Sequence, residues 1–226
     1  GAREARDIGF SRVVLSRECT RDEVRLITEQ AGVETEVFVH GALCMCYSGQ
    51  CYLSAVIGQR SGNRGLCAQP CRLPYNGEYP LSLKDLALAG HIAELADLGV
   101  SSLKIEGRMK RPEYTAIVTK IYADLLRERR NPTPAERDTL RRVFSRDGFT
   151  DGYYTGKIGD KMFGTKTDVP LREVQALYDE AARRFVSGRE APLVPVSLCF
   201  TARADTGAVL SADGVSAAAP VERAQN

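Results

Sequence analysis

Five of the chain's seven cysteines fall between positions 44 and 71, in a stretch that is also rich in glycine. Such a stretch takes the place of a simple helix, so the fold has to hold it as loops beside a strand. Cys44 and Cys51 are spaced Cys-x6-Cys, fifteen residues follow, and Cys67 and Cys71 are spaced Cys-x3-Cys. Thiolates are soft ligands that suit zinc or iron–sulfur clusters. Structural zinc sites favour two short knuckles, and only the second pair has that form. The wide first pair, and Pro70 before Cys71, look more like loops around a [4Fe–4S] cube. Disulfides are another reading and need an oxidising compartment. Unpaired thiols packing as small hydrophobes are the plainest one. Spacing leaves all of these open, and Cys46 is able to replace any of the four. Cys19 and Cys199 stand apart and read as structural.

No signal peptide and no apolar run long enough for a membrane span are present, so a cytoplasmic chain without membrane contact is expected. A formal net charge of +2 excludes a polycation, but the charge is uneven. Arg60, Arg64 and Arg72 flank the cysteines. Lys104, Arg108, Lys110 and Arg111 form a second basic group, and Arg137, Arg141, Arg142 and Arg146 a third. Basic loops beside a metal site suit a phosphate-bearing partner. The third group lies on a predicted helix and reads as solvated surface.

Strand and helix signals alternate. Ser11–Ser16 reads as a short buried strand. Thr20 and Glu23 make a capping box for a helix to about Gln30, ended by Gly32, and Glu36–His40 is a second strand. A third strand is expected at Tyr79–Leu83, with a helix from Lys84 to Leu98 closing at Gly99. Ser101–Glu106 is a fourth strand, and Pro112 opens a helix with apolar residues at helical spacing. The alternation predicts parallel strands in an α/β architecture. Four strand–helix units match the carboxyl-terminal part of a (β/α)8-type barrel whose amino-terminal half is missing or supplied by another chain. Three regions are expected: a partial barrel with the cysteine segment over 1–130, a helical and loop extension over 131–190, and the start of a β domain with a disordered tail over 191–226. The extension carries a Thr133/Glu136 capping box, an aromatic loop over 147–164 and a helix over 171–186. The last region carries strands at 192–202 and 208–211, and the tail is expected from Ser216.

The run Glu36-x-Phe38-x-x-Gly41-Ala42-Leu43-Cys44-x4-Gly49-x-Cys51-x-Leu53-Ser54 resembles the defining motif of the collagenase-like peptidase family U32. The runs 79–86 and 102–114 resemble that family's later barrel strands, and the likeness covers about 11–165. It implies a barrel-like catalytic domain. Several family members carry a [4Fe–4S] cluster and hydroxylate RNA bases or a quinone precursor. The wording of the motifs is most similar to the branch that makes 5-hydroxycytidine in large-subunit ribosomal RNA. A related branch hydroxylates a transfer-RNA wobble uridine, with prephenate as the implied oxygen source. The resemblance assigns Cys44, Cys51, Cys67 and Cys71 as cluster ligands in type.

Barrel enzymes place chemistry at the carboxyl ends of strands, which selects His40, Lys84, Asp85, Lys104, Glu106 and Arg108. Lys84 and Arg108 suit a phosphate or carboxylate, with Asp85 and Lys104 beside them in substrate binding. Glu106 suits proton movement, and His40 suits donation to a cluster sulfur. Against these, Lys104, Glu106 and Arg108 alternate as a structural ion-pair ladder would, and His40 reads equally as a core histidine. Phe149, Tyr153 and Tyr154 either stack on a base or pin a loop. Three functions compete: an iron–sulfur RNA hydroxylase, a peptidase, and an incomplete, non-catalytic subunit. The peptidase has only His40 and His91 to activate a thiol and lacks His-Glu-x-x-His.

Overall fold

The structure is a computed structural model that describes residues 1–107, 110–145, 147–165, 171–186, 198–203, 207–212 and 215–219. Two compact units divide the chain, Gly1–Ser187 and Gly188–Asn226.

The first unit opens with a short helix α1 (Ala2–Asp7), strand β1 (Arg12–Val14) and helix α2 (Arg21–Gln30). Thr20 caps α2 as its sequence requires: Glu23 N donates to Thr20 Oγ1 at 3.3 Å and Thr20 N donates to Glu23 Oε2 at 2.7 Å. Strand β2 (Glu34–Gly41) alternates buried and half-buried positions and then becomes fully buried at its end. The cysteine segment follows with one short helix, α3 (Leu53–Gly58). Strand β3 (Asp85–Ala87), helix α4 (Ile92–Asp97), strand β4 (Ser102–Ile105) and the long helix α5 (Pro112–Glu128) come next. Helix α6 (Pro134–Val143) has the expected box at Thr133 and Glu136, and both Glu136 oxygens also receive the Arg130 fork, at 2.7 and 2.8 Å. Strand β5 (Phe149–Thr150), helix α7 (Gly152–Thr155) and helix α8 (Leu171–Ala181), with a π-turn at Ala182–Val186, complete the unit.

β2 organises the sheet. It pairs in parallel with β1 over Glu34–Glu36 and with β4 over Glu36–His40, where a bulge shifts the register. It pairs antiparallel with β3 at His40 and Gly41, and β3 pairs in parallel with β5. The architecture is therefore mixed α/β, and the expectation of parallel strands throughout fails at β3. That strand is also misplaced in the sequence reading. Tyr79–Leu83 forms no strand, and the helix expected from Lys84 begins only at Ile92. The run Lys84–Ala89 has helical composition, but pairing with β2 and β5 takes its first half into the sheet.

Helix α5 packs its apolar stripe against the sheet, with Val118 and Leu125 fully buried beside Val39, Leu88 and Leu95. Leu140, Val143, Val174 and Tyr178 share that core, so the segment after 131 packs on the same interior as the strands. Tyr178 Oη donates to the Val143 carbonyl at 3.0 Å.

The second unit is an antiparallel sheet, β6 (Leu198–Arg203), β7 (Gly207–Ala212) and β8 (Val215–Ala219), in that order. The expected tail begins too early: Ala217–Ala219 pair with Ala208–Leu210, because backbone pairing in a meander does not require apolar side chains. The strand expected from 192 is described from Leu198 onward, and the residues beyond 219 lie outside the described ones. Cys199, expected to be structural, is exposed.

Candidate active site

β1, β2 and β4 are mutually parallel through β2, so their carboxyl ends share one edge of the sheet. Arg17 comes just after β1, the cysteine segment just after β2, and Glu106 just after β4. β3 runs the opposite way, so Asp85, at its start, and Lys84 before it come to that same edge. They come from the beginning of a strand and not from the end that the sequence reading assumed. In sheets of this class ligands bind at the carboxyl ends.

An open cleft of about 420 Å³ lies there, lined by Arg17, Phe38, Lys104, Ile105, Glu106 and Gly107. Arg17 Nη2 meets Glu106 Oε2 at 2.5 Å, and its guanidinium lies 3.8 Å from the centre of the Phe38 ring. Lys104 Nζ stands 5.3 Å from the same ring and binds Glu36 Oε1 at 2.8 Å. The Lys104 ammonium holds the Glu36 carboxyl below its usual range, against partial burial, and Ser102 Oγ donates to its other oxygen at 2.8 Å. The cleft thus alternates cation, aromatic ring and carboxylate. Gly41 makes it possible: its φ is +129°, and a β-carbon there would lie 2.3 Å from Glu106 Cβ.

Asp85 is fully buried. Tyr114 Oη donates to the Glu106 carbonyl at 3.1 Å, and burial, then the Asp85 and Glu106 carboxylates, push its phenol well above the ordinary range. Lys104, Glu106 and Asp85 are therefore brought to one neighbourhood. Lys84 is half-buried with its amide bound to the Met162 carbonyl at 2.8 Å. Arg108 lies outside the described residues. Sequence reasoning missed Arg17 and Phe38. The strand-end rule that selected Glu106 would have found Arg17, and the alternation of Glu36 and Phe38 along β2 places both on the face of Lys104.

His40 is a core residue. It has no exposed surface, its Nδ1 lies 3.1 Å from Tyr122 Oη, and that hydroxyl donates to the Val39 carbonyl at 2.9 Å. Nδ1 therefore carries the proton. The ring sits between Tyr122 and Phe149, 5.5 and 5.2 Å away. Burial lowers its pKa to about 3. None of these contacts is to a thiol, and the surroundings are those of the core-histidine reading. The stability consequence follows by sign. The unfolded chain takes up the proton below about pH 6.5 and the folded chain only near 3, so stability is full above 6.5 and falls as pH drops. The loss is about 1.4 kcal/mol per pH unit across that window. Denaturant titrations between pH 7 and 4 will show this slope, and His40→Phe will flatten it.

The cysteine loops are pinned at their bases. Buried Arg72 donates to Ser82 Oγ at 3.1 Å, to the Leu43 carbonyl at 2.6 Å and to the Leu83 carbonyl. It is a structural clamp and not the surface cation read from sequence. Glu18 Oε1 accepts from the amide and the hydroxyl of Ser48, both at 3.0 Å, and Ser54 Oγ accepts from Ala68 N at 2.9 Å. A β-carbon at Gly62 would lie 3.7 Å from Cys67 Cβ and 3.9 Å from the Cys51 carbonyl, which joins the two cysteine pairs. The Cys44 thiol feels its neighbours: crowding by protein raises its pKa most, Arg17 lowers it, Cys71 and Cys67 raise it, and Arg72 lowers it. Arg17, paired with Glu106 in the cleft, is thus also within electrostatic reach of Cys44. All seven cysteines are unbridged.

Among the described residues no group of three His, Cys, Asp or Glu side chains stands in metal-holding geometry. The donor chemistry fits an iron–sulfur cluster in kind. Cys44 lies within electrostatic reach of Arg17, Cys71, Cys67 and Arg72, and Gly62 stands near both Cys67 and the Cys51 carbonyl. The second basic group is largely occupied: Lys104 by Glu36, Lys110 over the Phe144 ring at 3.3 Å, and Arg111 by Glu113 and the Tyr178 ring. Tyr154 is buried and Phe149 and Tyr153 are half-buried against the core, so these aromatics pin the loop.

The Peptidase family U32 model matches residues 1–163. A 23S rRNA 5-hydroxycytidine synthase of Escherichia coli is 42% identical over 131 residues, 53% of this chain and 20% of that protein. The tRNA hydroxylation protein P1 of Bacillus subtilis is 40% identical over 135 residues, 52% and 32% respectively. A protein named collagenase from Porphyromonas gingivalis is 39% identical over 175 residues, 64% and 42%. The matched regions thus span 20% to 42% of these relatives. No solved structure matches the chain. Among the described residues no helix is long and apolar enough to cross a membrane.

Proposed function

This chain belongs to peptidase family U32, and from that premise we propose that it serves iron–sulfur-dependent hydroxylation of an RNA base. The first substrate in this reading is cytidine of large-subunit ribosomal RNA, giving 5-hydroxycytidine, and a transfer-RNA wobble uridine is the second. The observation that carries the reading is that the cysteine segment leaves β2 at the same sheet edge as the Arg17–Glu106 pair of the cleft. Relatives named for RNA hydroxylation support the substrate class.

Cys44, Cys51, Cys67 and Cys71 would hold a [4Fe–4S] cluster, which supplies one-electron redox chemistry when bound. The chain's own residues do the rest. Arg17 and Lys104 offer positive charge to a carboxylate or phosphate, and prephenate, a dicarboxylate, is the oxygen source we propose for that place. Phe38 gives the cleft an apolar wall. Glu106 moves the proton at the reacting base. We read the parallel strands β1, β2 and β4 as belonging to a (β/α)8-type barrel, a reading their shared carboxyl edge supports. Mass spectrometry of ribosomal and transfer RNA from a deletion strain tests the function: loss of a hydroxylated base is expected, and unchanged spectra overturn the reading. Glu106→Gln in the complemented strain should lower turnover by about 10²–10⁴-fold.

The collagenase-named relative favours a second reading, peptide hydrolysis. Both histidines are engaged away from the thiols, His40 with Tyr122 and His91 with Glu94 and Asp151. Peptide cleavage that survives substitution of the cysteines and chelation would restore it.

A further inference from the structure

Between Glu36 and Glu78 the chain has no carboxylate side chain, yet it exposes an unusual set of groups. Tyr47 is 68% exposed and Tyr52 69%, and Val56 and Ile57 on α3 are also open. Arg60 and Arg64 are exposed, and neither forms an ion pair among the described residues. Exposed apolar and aromatic groups are informative when they are grouped, because grouped patches mark interaction sites.

These groups are gathered around the thiols. Tyr47 follows Cys46 directly, and the next residue, Ser48, is held by Glu18 through its amide and hydroxyl, both at 3.0 Å. Tyr52 follows Cys51 and begins α3. The loop carrying Arg60 and Arg64 packs back on that point, since Gly62 approaches both the Cys51 carbonyl and Cys67. Arg60 Nε donates to the Leu66 carbonyl at 2.9 Å, which fixes the loop.

We infer that this face grips an unpaired RNA segment, with bases stacked on Tyr47 and Tyr52 and phosphates on Arg60 and Arg64. The inference rests on the RNA-base reading and adds the surface that delivers the strand to the thiol-bearing loops. Exposed aromatic rings interleaved with cations are the physical basis of single-strand binding, because every base has a face to stack and every link a phosphate. A protein partner would also cover Val56 and Ile57, but a stretch free of carboxylates beside two unpaired arginines is complementary to a polyanion. The aromatics of the 149–154 loop do not compete for this role, because they are packed inward.

The test is fluorescence anisotropy with a short, end-labelled, unpaired oligoribonucleotide of mixed sequence and the anaerobically prepared full chain. Tyr47→Leu with Tyr52→Leu should weaken binding by roughly 10- to 100-fold, while Tyr47→Phe with Tyr52→Phe should retain it. Arg60→Ala with Arg64→Ala should flatten the slope of log affinity against log salt by about 1.4, at about 0.7 per phosphate on a single strand. Circular dichroism confirms that each variant folds. Wild-type binding that is indifferent to both tyrosine pairs, or equal affinity for duplex RNA, overturns this surface and leaves the RNA reading standing. Absence of any RNA binding by the wild type, with the hydroxylated base still lost in the deletion strain, also overturns the surface. Its absence together with unchanged RNA spectra removes both.

Discussion

Anaerobically prepared protein will contain about four iron and four sulfide per chain, and Cys67→Ala will lose most of both. The expectation follows from the kind of the four thiols and their clustering in one loop segment. Gly62 stands near both Cys67 and the Cys51 carbonyl, so the two cysteine pairs share one loop region. Burial works against the Cys44 thiolate most, and Arg17 and Arg72 work in its favour. A cube suits loops that are fixed at their bases by Arg72, Glu18 and Ser54 and irregular between them. Cys19→Ala serves as the control, since that half-buried thiol lies against Ser16 Oγ at 3.7 Å, and its metal content should match the wild type. Cys46→Ala separates ligand sets: it keeps its iron if the four named thiols bind, and loses it if Cys46 replaces one of them. Zinc near one per chain, or no metal in wild type, overturns the cluster and removes the main support for hydroxylation.

Local signals in this sequence were legible because their physics is local. Thr20 with Glu23, and Thr133 with Glu136, satisfy orphan amides within three residues, and the helices begin where those pairs place them. Pro112 and the apolar spacing after it likewise mark α5. What could not be read depended on contacts between distant segments. The Tyr79–Leu83 run looks extended, but its carbonyl at Leu83 and hydroxyl at Ser82 serve Arg72 instead of a neighbouring strand. Asp85–Ala87 has helical composition and becomes a strand only because β2 and β5 offer backbone partners. Among candidate site residues, residue type pointed to the thiols, and strand position pointed to Glu106 and Lys104, which line the cleft. Burial decided the rest: Arg72 and His40 look functional by type, and one is a clamp and the other a caged core ring.

That clamp carries the second large effect. Arg72→Ala should destabilise the chain by about 3–5 kcal/mol, as removal of a buried, fully engaged charged group does, and lower the melting temperature by roughly 2–4 °C for each kcal/mol. From its own turn beside Cys71 its guanidinium reaches two separate segments: Leu43 beside Cys44, and Ser82–Leu83 ahead of Asp85. Removing it strands the carbonyls of Leu43 and Leu83 without a donor in the interior, where an unsatisfied polar group costs about 1–3 kcal/mol. Arg72→Lys should recover only part of the loss, because one ammonium cannot hold the forked geometry that a guanidinium spans. Both variants keep every cysteine, so iron retention isolates positioning from ligation. Iron should fall in Arg72→Ala at temperatures where circular dichroism still reports a folded chain, since Leu43 and the 70–72 turn set the distance between the two cysteine pairs. A melting temperature equal to the wild type, or full iron in the folded variant, would mean that the loops hold their thiols without Arg72 and that the backbone turns alone position them.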